Sequence, residues 1–418
     1  MPMSMEFEQR LYPMLPEIAA QFGTPFHIYD EVGIRNTGAA LIEAFAPLPC
    51  FREFFAVKAL PNPKILAIMR DMGFGFDCSS VAELVLARGV GGRGDDIMFT
   101  SNNTSQQEFQ VAADQGGCIQ NLDDITMVAK IPRMPDRISF RYNPGPRRGG
   151  GNVIIGNPVE AKYGVAHEQI IDAYRAAIDR GARRFGMHTM LVSNERNPEF
   201  MVDTARMLLE VAEWVGGELD IKFEFLNLGG GLGIPYRPQE TALDLERMSA
   251  GIIAAFREFE KRNGYLPELH LESGRYMTGP HGVLVVSAIN RKDTYRTYIG
   301  VDASMSALMR PGMYGAYHHI TVPAREAAVD RTAVDVVGAL CENNDKFAIQ
   351  RPLPPIEMGD LFCIHDTGAH GHAMGFNYNG RLRPKELLLR ADGHVELIRR
   401  EETLEDHFAT LNYEPRIL

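Results

Sequence analysis

The sequence predicts an α/β protein with a closed (β/α)8 barrel and a second, mainly β domain. Strand and helix patterns alternate regularly from residue 26 to residue 275, which favours a parallel barrel of about eight strands. After Arg275 the strand-like segments are joined by turns instead of helices. The length of 418 residues suits two domains. We therefore predict a barrel over 26–275 and a mainly β domain from 1–25 and 276–418.

The barrel elements follow one another along the chain. A turn at Gly23 precedes the first strand pattern, and an amphipathic pattern after Pro63 predicts a helix that ends near Gly73. An open doubly wound sheet is the alternative, because periodicity does not show closure. The strand patterns lie, in order, at 26–30, 54–58, 75–78, 95–101, 118–122, 138–142, 185–191, 223–228 and 269–271.

The β domain is predicted from short strand patterns separated by turn residues. Its last two strands form a hairpin around Asp392-Gly393. The strand patterns lie at 282–289, 296–302, 333–338, 360–365, 386–390 and 395–399.

Composition excludes several classes of protein. A net charge of −11 argues against nucleic-acid binding, and no apolar run reaches the roughly 20 residues that span a bilayer. The N-terminus shows no signal-peptide pattern. Five cysteines without a CxxC pair suggest a reducing cytoplasm and argue against a disulfide framework and a zinc site. We expect no metal.

One lysine, Lys58, ends a buried strand pattern. The apolar run Phe54-Phe55-Ala56-Val57 leads directly into it. Catalytic residues of a barrel lie at the carboxyl ends of its strands. A partly desolvated lysine there has a lowered amine pKa and can form a Schiff base. The alternative is a lysine that extends into solvent.

Two further segments end strands with groups suited to a cofactor. The turn at Gly229-Gly230-Gly231 allows backbone N–H groups to approach a phosphate, although it is not a dinucleotide fingerprint. The sequence Glu272-Ser-Gly274-Arg275 offers an acid that can keep a pyridine nitrogen protonated. The alternatives are a flexible turn and a surface Glu–Arg pair.

The β domain contributes two polar segments. Cys341-Glu342 places a thiol beside a carboxylate, and Tyr378 lies between two asparagines. The tyrosine could donate to a phosphate or simply pack, and the Cys-Glu segment could be an ordinary loop.

Together and in this order, these segments resemble the fold type III, pyridoxal-phosphate-dependent basic amino acid decarboxylases, most of all the diaminopimelate decarboxylase branch. The resemblance extends from Gly23 to Pro384 and implies a TIM-like barrel with a β domain. Its motifs are Phe55-Ala-Val-Lys58-Ala, Phe76-Asp77-Cys-Ser-Ser-Val-Ala-Glu83, Gly229-Gly230-Gly231, Glu272-Ser-Gly274-Arg275, Arg310-Pro-Gly-Met-Tyr314-Gly-Ala-Tyr317-His318 and Cys341-Glu342.

The resemblance implies a role for each matching residue. Lys58 forms the Schiff base with pyridoxal 5'-phosphate, and Glu272 holds the pyridine nitrogen. Cys341 acts across a homodimer interface as the general acid, and Glu342 takes the distal ammonium. The distal carboxylate is held by Arg275, Arg310 and Tyr314. The remaining cofactor contacts are Asp77, His188, Ser193, Gly229, Gly230, Gly231, Gly274, Arg275 and Tyr378, the last of which also contacts substrate.

The chain departs from the family pattern near the cofactor. Met190 stands where the family has the histidine that stacks on the ring, and Val192 replaces a glycine. Either Met190 or a shifted His188 is expected to face the ring. Leu60 and Asn343 also differ from the usual residues, which suits a specialised branch.

The predicted function is decarboxylation of an amino diacid, most simply meso-diaminopimelate to lysine in cytoplasmic lysine biosynthesis. The alternatives are a decarboxylase of a related D-configured, diamino or carrier-attached amino acid, an amino acid racemase, and a non-catalytic pyridoxal-phosphate-binding homologue. The partners expected are a small-molecule amino acid and a second copy of the chain.

Overall fold

The computed structural model describes residues 3–148 and 156–412. Its helices are α1 Met5–Leu11, α2 Leu15–Phe22, α3 Glu31–Phe45, α4 Pro63–Asp71, α5 Val81–Gly89, α6 Gln106–Ala113, α7 Ile170–Asp179, α8 Pro198–Leu219, α9 Leu245–Asn263, α10 Arg275–Thr278, α11 Arg310–Tyr314 and α12 Leu404–Phe408. Its strands are β1 Phe26–Asp30, β2 Phe51–Ala56, β3 Gly75–Cys78, β4 Gly94–Ser101, β5 Cys118–Leu122, β6 Arg137–Asn143, β7 Val165–Ala166, β8 Arg184–His188, β9 Phe223–Asn227, β10 Glu268–Leu271, β11 Gly282–Asp293, β12 Thr297–Val301, β13 Ile320–Thr321, β14 Thr332–Val337, β15 Lys346–Leu353, β16 Leu361–Ile364, β17 Lys385–Leu389 and β18 Val395–Arg399.

The described residues divide into two compact units. The barrel unit comprises the described residues of 35–234 and 241–277, and the β unit comprises those of 1–34, 235–240 and 278–418. In neither unit does a described helix combine the length and apolar composition of a membrane-spanning segment.

The barrel unit contains a closed barrel of parallel strands. The strands pair in the cyclic order β2, β3, β4, β5, β6, β8, β9, β10 and back to β2, while β7 pairs with β6 outside the cycle. The first and last strands close the barrel through the pairs Leu269↔Phe51 and Leu271↔Glu53. The predicted closed (β/α)8 barrel is confirmed, and the open sheet is excluded.

The step from β2 to α4 shows how the sequence fixes the local fold at the rim. The last four residues of β2 are buried, and Val57–Ala59 form a 3₁₀ turn. Asn62 then caps α4 by accepting a hydrogen bond from the backbone N–H of Lys64, and Pro63 occupies the first helical position. Lys58 is therefore held in a short turn between two well-defined elements.

The β unit is a nine-stranded mixed sheet in which β15, β14, β12, β11, β1, β17 and β18 are neighbours. Strand β16 pairs with β11 and with the short β13. The hairpin predicted around Asp392-Gly393 is confirmed by the antiparallel pairing of β17 and β18. Helices α1 and α2 pack onto the sheet through Phe7, Leu11, Leu15 and Ile18.

The predicted start of the barrel at residue 26 is wrong. Strand β1 pairs antiparallel with β11 and parallel with β17, so it belongs to the sheet of the β unit. All its residues are buried, the polar His27 and Asp30 among them, and the helix α3 follows it directly, which is the strand–helix pattern expected of a barrel. The segment 1–25, predicted within a mainly β domain, lies in that unit but folds as α1 and α2.

Candidate active site

Polar side chains gather at one end of the barrel. Because all eight strands are parallel, their carboxyl ends form a common rim. Five polar residues lie at or near the carboxyl ends of β2, β3, β8, β9 and β10, namely Lys58, Asp77, His188, Asn227 and Glu272 in that order. Hydrogen bonds connect them into two groups.

The first group is an ion pair between Lys58 and Asp77. Lys58 Nζ donates to Asp77 Oδ2 at 2.8 Å, with the lysine side chain 42% exposed and the aspartate 1% exposed. Burial lowers the pKa of Lys58, but Asp77, and then Glu272, outweigh burial, so the pKa is raised. The predicted lowering of this pKa is wrong, because a carboxylate within hydrogen-bonding distance favours the charged amine.

Neighbouring charges and burial shift the pKa of the Asp77 carboxyl in opposite directions. Burial raises its pKa, Glu272 raises it further, and Lys58 lowers it by less, so the pKa is raised overall. Its second oxygen, Oδ1, is buried and has no hydrogen-bond partner in the described part of the chain. A buried acceptor without a donor is costly, so Asp77 can accept a hydrogen bond from an additional group at the rim.

The second group holds Glu272 as a carboxylate. His188 Nε2 lies 3.0 Å from Glu272 Oε2, and Asn227 Nδ2 donates to Oε1 at 2.7 Å. Burial raises the pKa of Glu272, but His188, Lys58 and the Asn227 amide lower it by more, so the pKa lies well below its usual value. Glu272 is thus a buried, ionised acceptor at the rim.

The glycine turn packs tightly against neighbouring backbone. Gly229 and Gly231 have φ values of +70° and +93°, which disfavour side chains. A Cβ atom on Gly230 would lie 2.3 Å from the Glu272 carbonyl oxygen, and one on Gly231 would lie 2.5 Å from that of Val192. The turn therefore needs glycine in order to lie beside both the end of β10 and the loop that follows β8.

Two more predicted cofactor residues lie close to these elements. A Cβ atom on Gly274 would lie 2.7 Å from Ala59 Cβ, so Gly274 lets the chain after β10 approach the Lys58 turn. Arg275 begins α10 and is buried. Ser193 lies half-buried in the loop after β8, next to Val192.

The structure places the two residues that were alternatives for the ring-stacking position. The His188 side chain lies within the barrel and contacts Glu272. Met190 lies in the following loop, where its side chain packs against the glycine turn and its carbonyl oxygen accepts a hydrogen bond from Arg141. The His188 side chain is therefore bonded to Glu272, and Met190 lies beside the glycine turn.

The β unit brings a second set of predicted residues together. Asn379 Oδ1 accepts from the backbone N–H of Cys341 at 3.2 Å and from its thiol at 3.1 Å, and Asn379 Nδ2 donates to Sγ at 2.9 Å. Cys341 and Glu342 are exposed. Both raise the pKa of Tyr378, first through their charges and also through hydrogen bonds. The thiol, the carboxylate and the phenol form one polar cluster.

The predicted substrate residues Arg310 and Tyr314 begin and end α11. They are four residues apart and therefore share one side of the helix. Arg310 is 6% exposed and Tyr314 is 46% exposed. Asn344, in the loop that begins at Cys341, donates to the carbonyl oxygen of Gly312, so α11 adjoins the thiol cluster.

Three residues of these clusters were missed by sequence reasoning. Asn227 and Asn379 were passed over, although each stands beside a recognised motif. Glu53 lies inside an apolar strand and accepts hydrogen bonds from the backbone N–H and hydroxyl of Ser273. Burial raises the pKa of Glu53 to about 8. An acid in a buried strand pattern was the available signal.

Comparison with known proteins adds independent findings. Residues 37–279 match the family model described as pyridoxal-dependent decarboxylase, pyridoxal binding domain. Protein TabA of Pseudomonas amygdali pv. tabaci is 49% identical over 415 residues, which cover 99% of this chain and 97% of that protein. The diaminopimelate decarboxylase of Methanothermobacter thermautotrophicus is 36% identical over 407 residues, covering 96% and 95% of the two chains.

Solved structures are similar over the same extent. The crystal structure of diaminopimelate decarboxylase from M. jannaschii in complex with L-lysine superposes with a TM-score of 0.86 at 29% identity, covering 96% of this chain and 94% of that chain. The Helicobacter pylori diaminopimelate decarboxylase complexed with L-lysine gives a TM-score of 0.84 at 26% identity, covering 94% and 98%.

Proposed function

The chain belongs to the pyridoxal-dependent decarboxylases, and on that premise we propose that it decarboxylates an amino diacid, most simply meso-diaminopimelate to lysine. The family membership makes it an enzyme that uses pyridoxal 5'-phosphate. The observation that carries the proposal is the ionised Glu272, held by His188 and Asn227 at the rim that also carries Lys58.

The rim residues fit this cofactor. A pyridoxal phosphate requires an amine for its aldehyde, an anionic acceptor for its ring nitrogen and close backbone approach to its phosphate. Lys58, Glu272 and the turn at Gly229–Gly231 offer these three features, and the buried Asp77 Oδ1 is an acceptor to which no residue within 3–148 or 156–412 donates. When bound, the cofactor supplies the electron sink that lets CO2 depart.

Different residues of this chain would then hold the cofactor, keep its ring nitrogen protonated and orient these groups. Lys58 would hold the cofactor through its amine, and Glu272 would keep the ring nitrogen protonated. Ser193, Gly274, Arg275 and Tyr378 are proposed as further cofactor contacts beside Asp77, His188 and the glycine turn. His188 would act by orienting Glu272 instead of stacking on the ring, because its Nε2 lies at the Glu272 carboxylate.

Recognition of a second carboxylate favours the diacid. Arg310 is buried at the start of α11 with Tyr314 one turn away, and both are proposed, with Arg275, to bind the distal carboxylate. A guanidinium can bind a carboxylate through two parallel hydrogen bonds. Glu342 would bind the distal ammonium, and Tyr378 would contact the substrate.

Protonation of the product carbon is assigned to Cys341, acting as the general acid of a partner subunit in a cytoplasmic homodimer. A thiol must be held towards its target to transfer a proton. Asn379 bonds to both the backbone N–H and the Sγ of Cys341, which restricts the thiol. The adjoining Met313, Tyr314 and Tyr378 are about half exposed, which suits an interface between chains.

A second candidate is decarboxylation of a related D-configured, diamino or carrier-attached amino acid. The observation that favours it is Met190 at the turn beside the cofactor residues, together with 49% identity to a relative that carries a different name from the diaminopimelate decarboxylases.

A substrate panel tests these proposals. We expect CO2 release from at least one diaminopimelate stereoisomer and much slower release from D-lysine, L-lysine, ornithine and glutamate. Preference for a lysine or ornithine would overturn the diacid assignment. Absence of CO2 from every compound would favour a racemase or a non-catalytic homologue.

The Schiff-base assignment is tested by Lys58→Ala. We expect the variant to lose the visible absorbance of the enzyme-linked cofactor and at least about a thousandfold in kcat, because Lys58 is the amine that Asp77 holds at the rim. Lys130→Ala, at an exposed lysine in the last turn of a 3₁₀ helix, is the control and should retain both. Absorbance that survives in Lys58→Ala would contradict the assignment.

A further inference from the structure

A buried histidine contacts the arginine that is proposed to recognise the substrate. Arg310 Nε donates to His318 Nε2 at 3.4 Å, and both side chains are buried. Tyr236 packs against the same pair: its ring lies 5.3 Å from the Arg310 guanidinium carbon and 5.2 Å from the His318 ring, edge to face. The three side chains form a compact group within the β unit.

The backbone around His318 holds the imidazole in place. Strand β13 begins two residues later and pairs with β16, and the backbone N–H of His365 donates to the His319 carbonyl oxygen at 2.8 Å. The His318 carbonyl oxygen accepts from Arg351 at 2.9 Å. His318 is therefore anchored on both sides by the sheet.

The hydrogen bonds determine the tautomer of His318. Its Nδ1 lies 2.8 Å from the His365 carbonyl oxygen, which can only accept, so Nδ1 carries the hydrogen. In the neutral ring, Nε2 is then the acceptor and receives the Arg310 Nε–H. A chain of hydrogen bonds from the His365 carbonyl oxygen through His318 to Arg310 Nε helps to hold the Arg310 guanidinium in its orientation.

We propose that His318 is a positioning residue that gives the enzyme its preference for a substrate with a second carboxylate. This inference rests on the proposed function, in which Arg310 binds that carboxylate. A guanidinium recognises a carboxylate through a planar fork, so its orientation decides how well two hydrogen bonds form together. His318 sets that orientation, and Tyr236 supports it from a ring face.

Two substitutions separate the hydrogen bonds of His318. The amide nitrogen of asparagine can replace Nδ1, so His318→Asn keeps the anchor to His365 but loses the acceptor for Arg310. Glutamine reaches the position of Nε2, so His318→Gln restores an acceptor there. His319→Asn is the matched control, because the His319 ring contacts Tyr317 and His365.

Binding of non-reacting probes to the holoenzyme gives a readout apart from turnover. We expect wild type and His319→Asn to bind pimelate, a dicarboxylate, more tightly than pimelamide, its uncharged diamide, which has neither a carboxylate nor a reactive amine. In His318→Asn the dissociation constant for pimelate should rise about tenfold with that for pimelamide little changed, and His318→Gln should recover most of the loss. For a substrate that turns over, KM should rise in His318→Asn while kcat is largely kept.

Failure of the role proposed for His318 can be distinguished from failure of the proposed function. Equal binding of the two probes by wild type, or an unchanged preference in His318→Asn, would overturn the role of His318. Equal weakening of both probes would also overturn it, because that result indicates general damage. If the substrate panel yields no CO2 but the preference for pimelate depends on His318, the proposed function fails and the positioning role stands.

Discussion

The Glu272 carboxylate shows how single residues determine the chemistry of the rim. Burial alone would favour the neutral acid. His188 and Asn227 each give one hydrogen bond to a different oxygen, and the pKa falls well below its usual value. Glu53, one strand away, accepts hydrogen bonds from Ser273, but burial outweighs them and raises its pKa to about 8 instead. The charge of a buried acid in this barrel therefore depends on the hydrogen bonds that its carboxyl group accepts.

This contrast predicts that Glu53 makes the stability of the folded protein depend on pH. An unfolded glutamate has a pKa of about 4.3, and burial raises that of folded Glu53 to about 8. Between these values the folded protein keeps a proton that the unfolded chain has released, so stability falls as pH rises, by up to about 1.4 kcal/mol per pH unit. Glu53→Gln cannot ionise, and its Tm relative to wild type should rise between pH 5 and 8.

Glu108→Gln is the control for that measurement. Hydrogen bonds from Ser105 lower the pKa of the partly exposed Glu108, so its stabilising effect is present above its unfolded pKa and is lost only as pH falls through its folded pKa. The Tm difference between Glu108→Gln and wild type should stay flat from pH 5 to 8. A flat difference for Glu53→Gln as well would mean that Glu53 is ionised when folded.

At the scale of elements, the tight packing of the glycine turn predicts that a methyl group added at Gly230 destabilises the protein. A Cβ atom at Gly230 would lie 2.3 Å from the Glu272 carbonyl oxygen, and neither backbone can move freely because both end barrel strands. Gly230→Ala should cost about 1–3 kcal/mol of stability and weaken cofactor binding. Thermal unfolding and cofactor titration would measure the two effects.

Gly217→Ala provides the matched control. Gly217 lies in α8, and apart from its chain neighbours and the backbone of that helix no described atom lies within 4 Å of the position that its Cβ would take. Alanine should stabilise this helix by about 0.5–1 kcal/mol and leave cofactor binding unchanged. If both variants behave alike, the tight packing of the turn is not what requires glycine.

Elements were predictable from sequence where local pattern and burial agree. Lys58, Gly229–Gly231 and Glu272 each follow an apolar strand, and the structure places all of them at the rim. Strand β1 was misassigned because burial on both faces looks the same in a barrel and in a covered mixed sheet. The contact of His188 with Glu272 joins residues 84 positions apart, so no local pattern encodes it.

At the scale of the whole molecule, the proposed homodimer predicts complementation between inactive chains. Lys58 belongs to the barrel unit and Cys341 to the β unit. If a site takes Lys58 from one chain and Cys341 from the other, a heterodimer of Lys58→Ala and Cys341→Ala contains one site with both residues intact. The other site of that heterodimer lacks both.

Random pairing of the two variant chains determines how much activity should return. Half of the dimers in an equal mixture are heterodimers with one intact site of two, so activity should return to about a quarter of wild type after subunit exchange. Each variant mixed with itself is the control and should stay inactive. A mixture that remains inactive, although labelled chains are seen to exchange, would show that each site takes Lys58 and Cys341 from the same chain.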